Sequence, residues 1–68
     1  MANVAQKVGF KVRQIRKKKG IKQEQLAAMA NIDYTYLNSI EAGKRNPTIK
    51  KLAKIARALE IPLKDLIP

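Results

Sequence analysis

The sequence predicts an all-α chain, a compact bundle of five short helices. Three observations lead to that fold class. Apolar residues recur at i, i+3 and i+4, with no strand-like alternation, internal repeat or low-complexity tract. Gly20, Asn31, Gly43, Pro47 and Pro62 interrupt those periods at short intervals. Finally, 46% of the 68 residues are hydrophobic, too many for a disordered basic tail and enough for one small core. We therefore expect residues 1–68 to form a single domain.

Each element has its own justification. Val4, Val8, Val12 and Ile15 make one face of a first helix that stops before Gly20, with Lys17, Lys18 and Lys19 at its negative dipole end. Gly9 inside it reads as a weak spot, costing about 1 kcal/mol relative to Ala. A second helix over Gln23–Ala30 buries Leu26, Ala27 and Ala30, and its small residues permit close helix approach. Asn31 can end it. Asp33 can cap a third helix over residues 34–42, which Gly43 terminates.

Gly43-Lys44-Arg45-Asn46-Pro47 is a loop by composition, and Thr48 can cap a fourth helix running to about Glu60. Ile49, Leu52, Ala53, Ala56 and Leu59 are expected on its inner face. Pro62 falls where the first turn of a short fifth helix tolerates it, with Leu63, Leu66 and Ile67 around Lys64 and Asp65.

The charge is uneven. Fifteen Lys and Arg oppose five Asp and Glu, a net of +10. Residues 1–23 hold basic residues and no acid. Residues 24–43 hold Glu24, Asp33 and Glu41 and no base. Beyond them come Lys44, Arg45, Lys50, Lys51, Lys54, Arg57 and Lys64 with only Glu60 and Asp65. Two positive blocks flanking a stretch without cations suit a polyanion gripped on both sides of a neutral reading element.

Several function classes drop out. Without cysteine or histidine there are no disulfides and none of the common Cys/His zinc sites, and no other metal site or cofactor is expected. Acid-base or nucleophilic catalysis would fall to five scattered carboxylates, two tyrosines and lysines, with no close carboxylate pair and no Gly-rich phosphate loop, so no enzyme is expected. There is no targeting run and no apolar stretch long enough to span a bilayer, so the expected location is the cytoplasm, at the nucleoid. A basic first helix could lie on an anionic membrane. Its stripe of Val and Ile without Trp or Leu looks instead like a core face.

The second and third helices, joined by Asn31-Ile32-Asp33, have the spacing of a helix-turn-helix. At about 100° per residue Leu37 and Ile40 fall on one side of the third helix, while Tyr34, Thr35, Asn38 and Ser39 fall on the other. The outer side is small and polar, with groups able to donate or accept at base edges and no long charged chain to prevent close approach.

Gln23-Glu24-Gln25-Leu26-Ala27, Tyr36-Leu37-Asn38-Ser39-Ile40-Glu41 and Gly43-Lys44-Arg45-Asn46-Pro47-Thr48 together resemble the Cro and phage-repressor (XRE) helix-turn-helix family over about residues 8 to 67. The Thr-Tyr-Leu and Gly-Lys-Arg-Asn-Pro stretches are similar to the small controller proteins of restriction-modification systems. The resemblance implies that Tyr34, Thr35, Asn38 and Ser39 face bases. It implies that Gln23 contacts a phosphate and buttresses the recognition helix, that Tyr36 reaches the backbone or a thymine methyl, and that Lys44 and Arg45 touch phosphates or the groove edge. Arg16 and Glu41 match a largely buried family salt bridge. Two positions depart from the pattern. Lys22 stands where Ser or Thr usually caps the second helix, and Ala42 replaces a frequent phosphate-contacting Asn, an anchor either lost or taken over by Lys44.

The expected function is a DNA-binding transcriptional regulator on double-stranded DNA, a homodimer on a near-palindromic operator. With no sensor domain after the helix-turn-helix, no small-molecule ligand is expected. Ile61, Leu63, Leu66 and Ile67 exceed what a capping turn requires; some should complete the monomer, and Leu63, Leu66 and Ile67 are the candidates for an isologous dimer patch. Two rivals remain at this level: a helix-turn-helix that binds protein, as an antitoxin or coactivator bridge, and a sequence-neutral DNA-packaging protein. Tyr36 is open between a packed ring and a DNA contact. Phe10, opposite the first helix's apolar stripe, is expected to be partly exposed, as a surface residue or a partner contact.

Overall fold

The computed structural model describes residues 2–68. Its order is α1 (Val4–Lys18), α2 (Gln23–Ala30), α3 (Tyr34–Glu41), α4 (Ile49–Leu59) and a 3₁₀ turn at Leu63–Leu66. Among the described residues there is no strand. The predicted all-α class stands, with one change: the fifth element is a single 3₁₀ turn, and Pro62 precedes it as its cap.

The helix ends are set by local side chains. Asn3 Oδ1 accepts from the Gln6 backbone N–H at 2.8 Å while Gln6 Oε1 accepts from the Asn3 N–H at 3.0 Å, a reciprocal capping box. Asp33 accepts from the Tyr36 N–H at 3.3 Å, and Thr48 Oγ1 from the Lys51 N–H at 3.1 Å. Lys22 has no acceptor to offer α2. There Gln25 alone acts, its Oε1 receiving the Lys22 N–H at 2.9 Å. Asn31 ends α2 in the left-handed region at φ 54°, and the Ile32 N–H reaches back to the Ala27 carbonyl at 3.0 Å, which turns the chain sharply into α3.

α1 packs on α3, and α2 packs on both α3 and α4. The fully buried side chains are Val12, Leu26, Leu37, Ile40, Ile55, Leu59 and Leu66. Two stripes are rotated from expectation. In α4, Ile49 and Ala53 are exposed and Ile55 is fully buried. The sequence offers two overlapping i, i+3, i+4 stripes that share Leu52, Ala56 and Leu59, and the one carrying the larger Ile55 side chain takes the interior. In α1 the buried line is Val8, Gly9, Val12 and Arg16, while Val4 is 55% exposed.

The cause of that rotation is Gly9. A Cβ there would collide with the Ile40 carbonyl oxygen, so the backbones of α1 and α3 meet where the helix has no side chain. Gly43 makes a second close approach. At φ 76° it ends α3, its N–H bonding to the Ile40 carbonyl and the Lys44 N–H to the Ser39 carbonyl, both at 3.0 Å. A side chain on Gly43 would come within 2.7 Å of Gln6 Cγ. α1 therefore lies directly over the C-terminal end of α3.

Leu66 corrects the expected dimer patch. Its side chain is fully buried in the chain's own core, closing the base of α1 and α4, and it has no surface left to share. Leu63 is half-buried against the core, and Ile67 is 44% exposed. The 3₁₀ geometry explains the difference: a single tight turn sends Leu66 inward and leaves Ile67 outside.

Candidate nucleic-acid interface

α3 is the centre of the candidate site. Leu37 and Ile40 face the core and hold its inner side, so Tyr34, Thr35 and Asn38 stand exposed on the other. Ser39 is half-buried, and its Oγ donates to the Thr35 carbonyl at 3.1 Å. That bond occupies the hydroxyl proton and leaves the oxygen's acceptor capacity unused.

Gln23, at the start of α2, and Asn38 line one shallow concavity with Arg13, Arg16, Glu41 and Ala42. The first turn of α2 and the middle of α3 thus converge, although Gln23 and Asn38 are fifteen positions apart in sequence. Arg13 is the cation at this edge, and it was legible before only as part of a basic block. Ala42 lies in the same concavity with no polar group to offer.

The opposite flank is organised by Tyr36. Its ring is half-buried against the core, with the Arg45 guanidinium 5.3 Å and the Lys51 ammonium 5.9 Å from the ring centroid. Cations over an aromatic face are held by the ring quadrupole. Tyr36 thereby ties the 43–47 loop and the first turn of α4 to the outer edge of α3. Lys51 is a participant that sequence pattern did not single out. Lys44 and Arg45 are exposed in the loop, and Pro47 beneath them is buried and anchors it.

Beneath the face lies a buried ion pair. Arg16 Nε donates to Glu41 Oε2 and Arg16 Nη2 to Glu41 Oε1, both at 2.8 Å, and Nη1 donates to the Ile21 carbonyl at 2.9 Å. The side chains are 9% and 3% exposed. A planar guanidinium engaged on three sides fixes α1, the turn before α2, and the end of α3 in one geometry. Among the described residues no buried side-chain polar atom lacks a partner. Of the central acids, Glu41 is neutralised inside, Asp33 caps α3, and Glu24 stays exposed in the first turn of α2, off the α3 face. The exposed face of α3 itself carries neutral polar groups, between Arg13 on one side and Arg45 with Lys51 on the other.

Among the described residues no Asp/Glu cluster suited to a metal ion occurs, and no helix is long and apolar enough to cross a membrane.

Comparison with known proteins gives a consistent result. The family model described as helix-turn-helix matches residues 12–66. The control protein C.MunI from Mycoplasma sp is 40% identical over 67 residues, 97% of this chain and 90% of the relative. The crystal structure of the restriction-modification controller protein C.AhdI from Aeromonas hydrophila superposes with a TM-score of 0.90 at 35% identity, over 93% of this chain and 96% of that one. The controller protein C.Esp1396I, solved as a tetramer in complex with its natural 35 base-pair operator, superposes with a TM-score of 0.85 at 36% identity, over 97% of each chain.

Proposed function

The chain belongs to the helix-turn-helix family, in its phage-repressor (XRE) branch, and from that premise we propose that it is a sequence-specific DNA-binding transcriptional regulator. α3 enters the major groove. Tyr34, Thr35, Asn38 and Ser39 read base edges, and Gln23, Tyr36, Lys44 and Arg45 hold the sugar-phosphate backbone. The observation that carries this reading is the composition of the exposed surface. A neutral, hydrogen-bonding helix face is bordered on both sides by cations that the fold has oriented, Arg13 beside Gln23 and Arg45 with Lys51 on Tyr36. Base edges demand short polar groups, whereas phosphates demand charge.

The regulator acts as a homodimer on a near-palindromic operator. One copy measures 30 × 23 × 22 Å, so two side by side are of a size to place their α3 helices one DNA turn, about 34 Å, apart. C.Esp1396I, which binds its operator as a tetramer, is similar along nearly its whole length, and this supports an assembly of subunits on DNA. The chemistry is recognition without catalysis, at the nucleoid in the cytoplasm. An adjacent DNA methyltransferase gene is the genomic setting expected if the role is that of a restriction-modification controller.

Enrichment of bound duplexes from a random pool tests the reading. The selected duplex should bind about 10³-fold or more tightly than random duplex. Equal affinities would instead assign the protein to sequence-neutral packaging, and no DNA affinity at all to a protein-binding module.

A further inference from the structure

On the outside of α1 lies a second surface, which shares only Arg13 and the Glu41–Ala42 edge with the candidate DNA face. Phe10 is 64% exposed, the most exposed large apolar side chain among the described residues. It lines an open groove with Gln6, Lys7 and Arg13 on the α1 side and Ala42 and Gly43 on the α3 side. A second, apolar-walled depression continues from Phe10 and Arg13 past Gln14 to Lys17. Lys7, Phe10, Arg13 and Lys17 follow one another at helical spacing, so cations lie one turn before, one turn after and two turns after the aromatic ring. The strip is about 15 Å long. The one acid lining the groove, Glu41, is consumed by Arg16 and buried, and residues 1–23 contain no other.

The geometry points to a docking groove for an acidic, amphipathic segment of another protein. Such a segment would set an apolar side chain against Phe10 and Ala42, with carboxylates about one turn to either side, meeting Lys7, Arg13 and Lys17. Charge complementarity selects this occupant over the alternatives. Two copies of this chain would oppose positive rim to positive rim across a two-fold axis. A DNA backbone would satisfy the cations but not the ring, since a phenyl group has no donor for phosphate. An apolar anchor flanked along its helix by cations matches a partner that carries both an apolar side chain and negative charge. A regulator on its operator would thereby keep one face for a neighbouring protein while α3 faces the groove.

The test uses a synthetic helical peptide of leucine and glutamate in amphipathic register, titrated into the full chain by calorimetry, with a lysine-for-glutamate version as control. The acidic peptide should bind and the basic one should not. Phe10→Ser, an exposed position whose fold is checked by circular dichroism, should weaken peptide binding about tenfold or more. Lys7→Glu with Lys17→Glu should weaken it comparably, and Phe10→Ser should leave duplex affinity and subunit association unchanged. The proposal is overturned if the acidic peptide does not bind, if it binds wild type and Phe10→Ser alike, or if the basic peptide binds as well. A loss of duplex affinity in Phe10→Ser would assign the groove to DNA, and a loss of self-association would assign it to a second copy; either result also overturns it.

Discussion

Gly9 and Ile40 meet backbone to backbone: a Cβ on Gly9 would strike the Ile40 carbonyl oxygen and lie 3.1 Å from its carbonyl carbon. The glycine that weakens α1 as an isolated helix is the residue that lets α1 seat on α3. Helix propensity favours Ala over Gly by about 1 kcal/mol. Forcing two backbones apart in a packed core costs typically about 1–3 kcal/mol, and here the obstructing atom is main chain and cannot rotate away.

Gly9→Ala is therefore expected to lower stability, against its propensity. Thermal unfolding checks this, since about 1 kcal/mol moves the melting temperature of a domain this size by roughly 4–8 °C. A higher melting temperature for Gly9→Ala would show that α1 can shift off Ile40 without loss.

Glu41→Ala leaves the Arg16 guanidinium buried with only the Ile21 carbonyl as partner. The expected cost is about 3–5 kcal/mol, a large share of the stability of a small domain. Replacing both Arg16 and Glu41 by apolar residues of similar volume should recover much of that loss. Urea unfolding of the two single variants and the double variant supplies the comparison; a Glu41→Ala midpoint close to wild type would remove the pair from the list of stabilising contacts.

Phosphate and base contacts should separate by their salt and sequence dependence. Lys44→Ala is expected to weaken binding to all duplexes by similar factors and to flatten the slope of log affinity against log salt by about one unit. Thr35→Ala and Asn38→Ala are expected to cost about 1–3 kcal/mol on the preferred site and little on random duplex. Fluorescence anisotropy on both duplexes over a salt series distinguishes them, and equal losses on random DNA for the two kinds of variant would argue against readout by α3.

The C-terminal residues should now divide into structural and associative. Leu66→Asp places a charge at a fully buried position and should unfold the chain. Ile67→Asp alters an exposed residue and should give a folded monomer with weakened operator binding. Because +10 on each subunit opposes association at low salt, wild-type dimerisation should strengthen as salt rises while DNA binding weakens. Sedimentation equilibrium at two salt concentrations measures both effects; a folded, fully dimeric Ile67→Asp would move the interface elsewhere.

Much of the architecture was legible from sequence because its determinants are local. Asp33 and Thr48 cap the helices they precede, Asn31 and Gly43 supply the left-handed residues that end α2 and α3, and the polar outer face of α3 follows from the 3.6-residue period. The Asn3–Gln6 capping box was equally local, an Asn followed three residues later by Gln, and could have been found the same way.

What only the tertiary structure decided are the choices between locally equivalent options. Sequence pattern pointed to an inner face of Ile49, Leu52, Ala53, Ala56 and Leu59 on α4, and the packing of α2 and α4 selected instead the overlapping stripe that carries Ile55. It offered Leu63, Leu66 and Ile67 as one apolar group, and a 3₁₀ turn in place of a helix sent Leu66 into the core and left Ile67 outside. It marked Gly9 as a defect, where the meeting of α1 and α3 makes it a contact. It could not place Arg13 beside Gln23 and Asn38, nor Arg45 and Lys51 over Tyr36, since these neighbours come from different elements. Caps and turns depend on energies within a few residues of one chain, so sequence determines them. Which face is buried, and which cation borders which helix, depends on excluded volume between distant segments, and that exists only once the helices have packed.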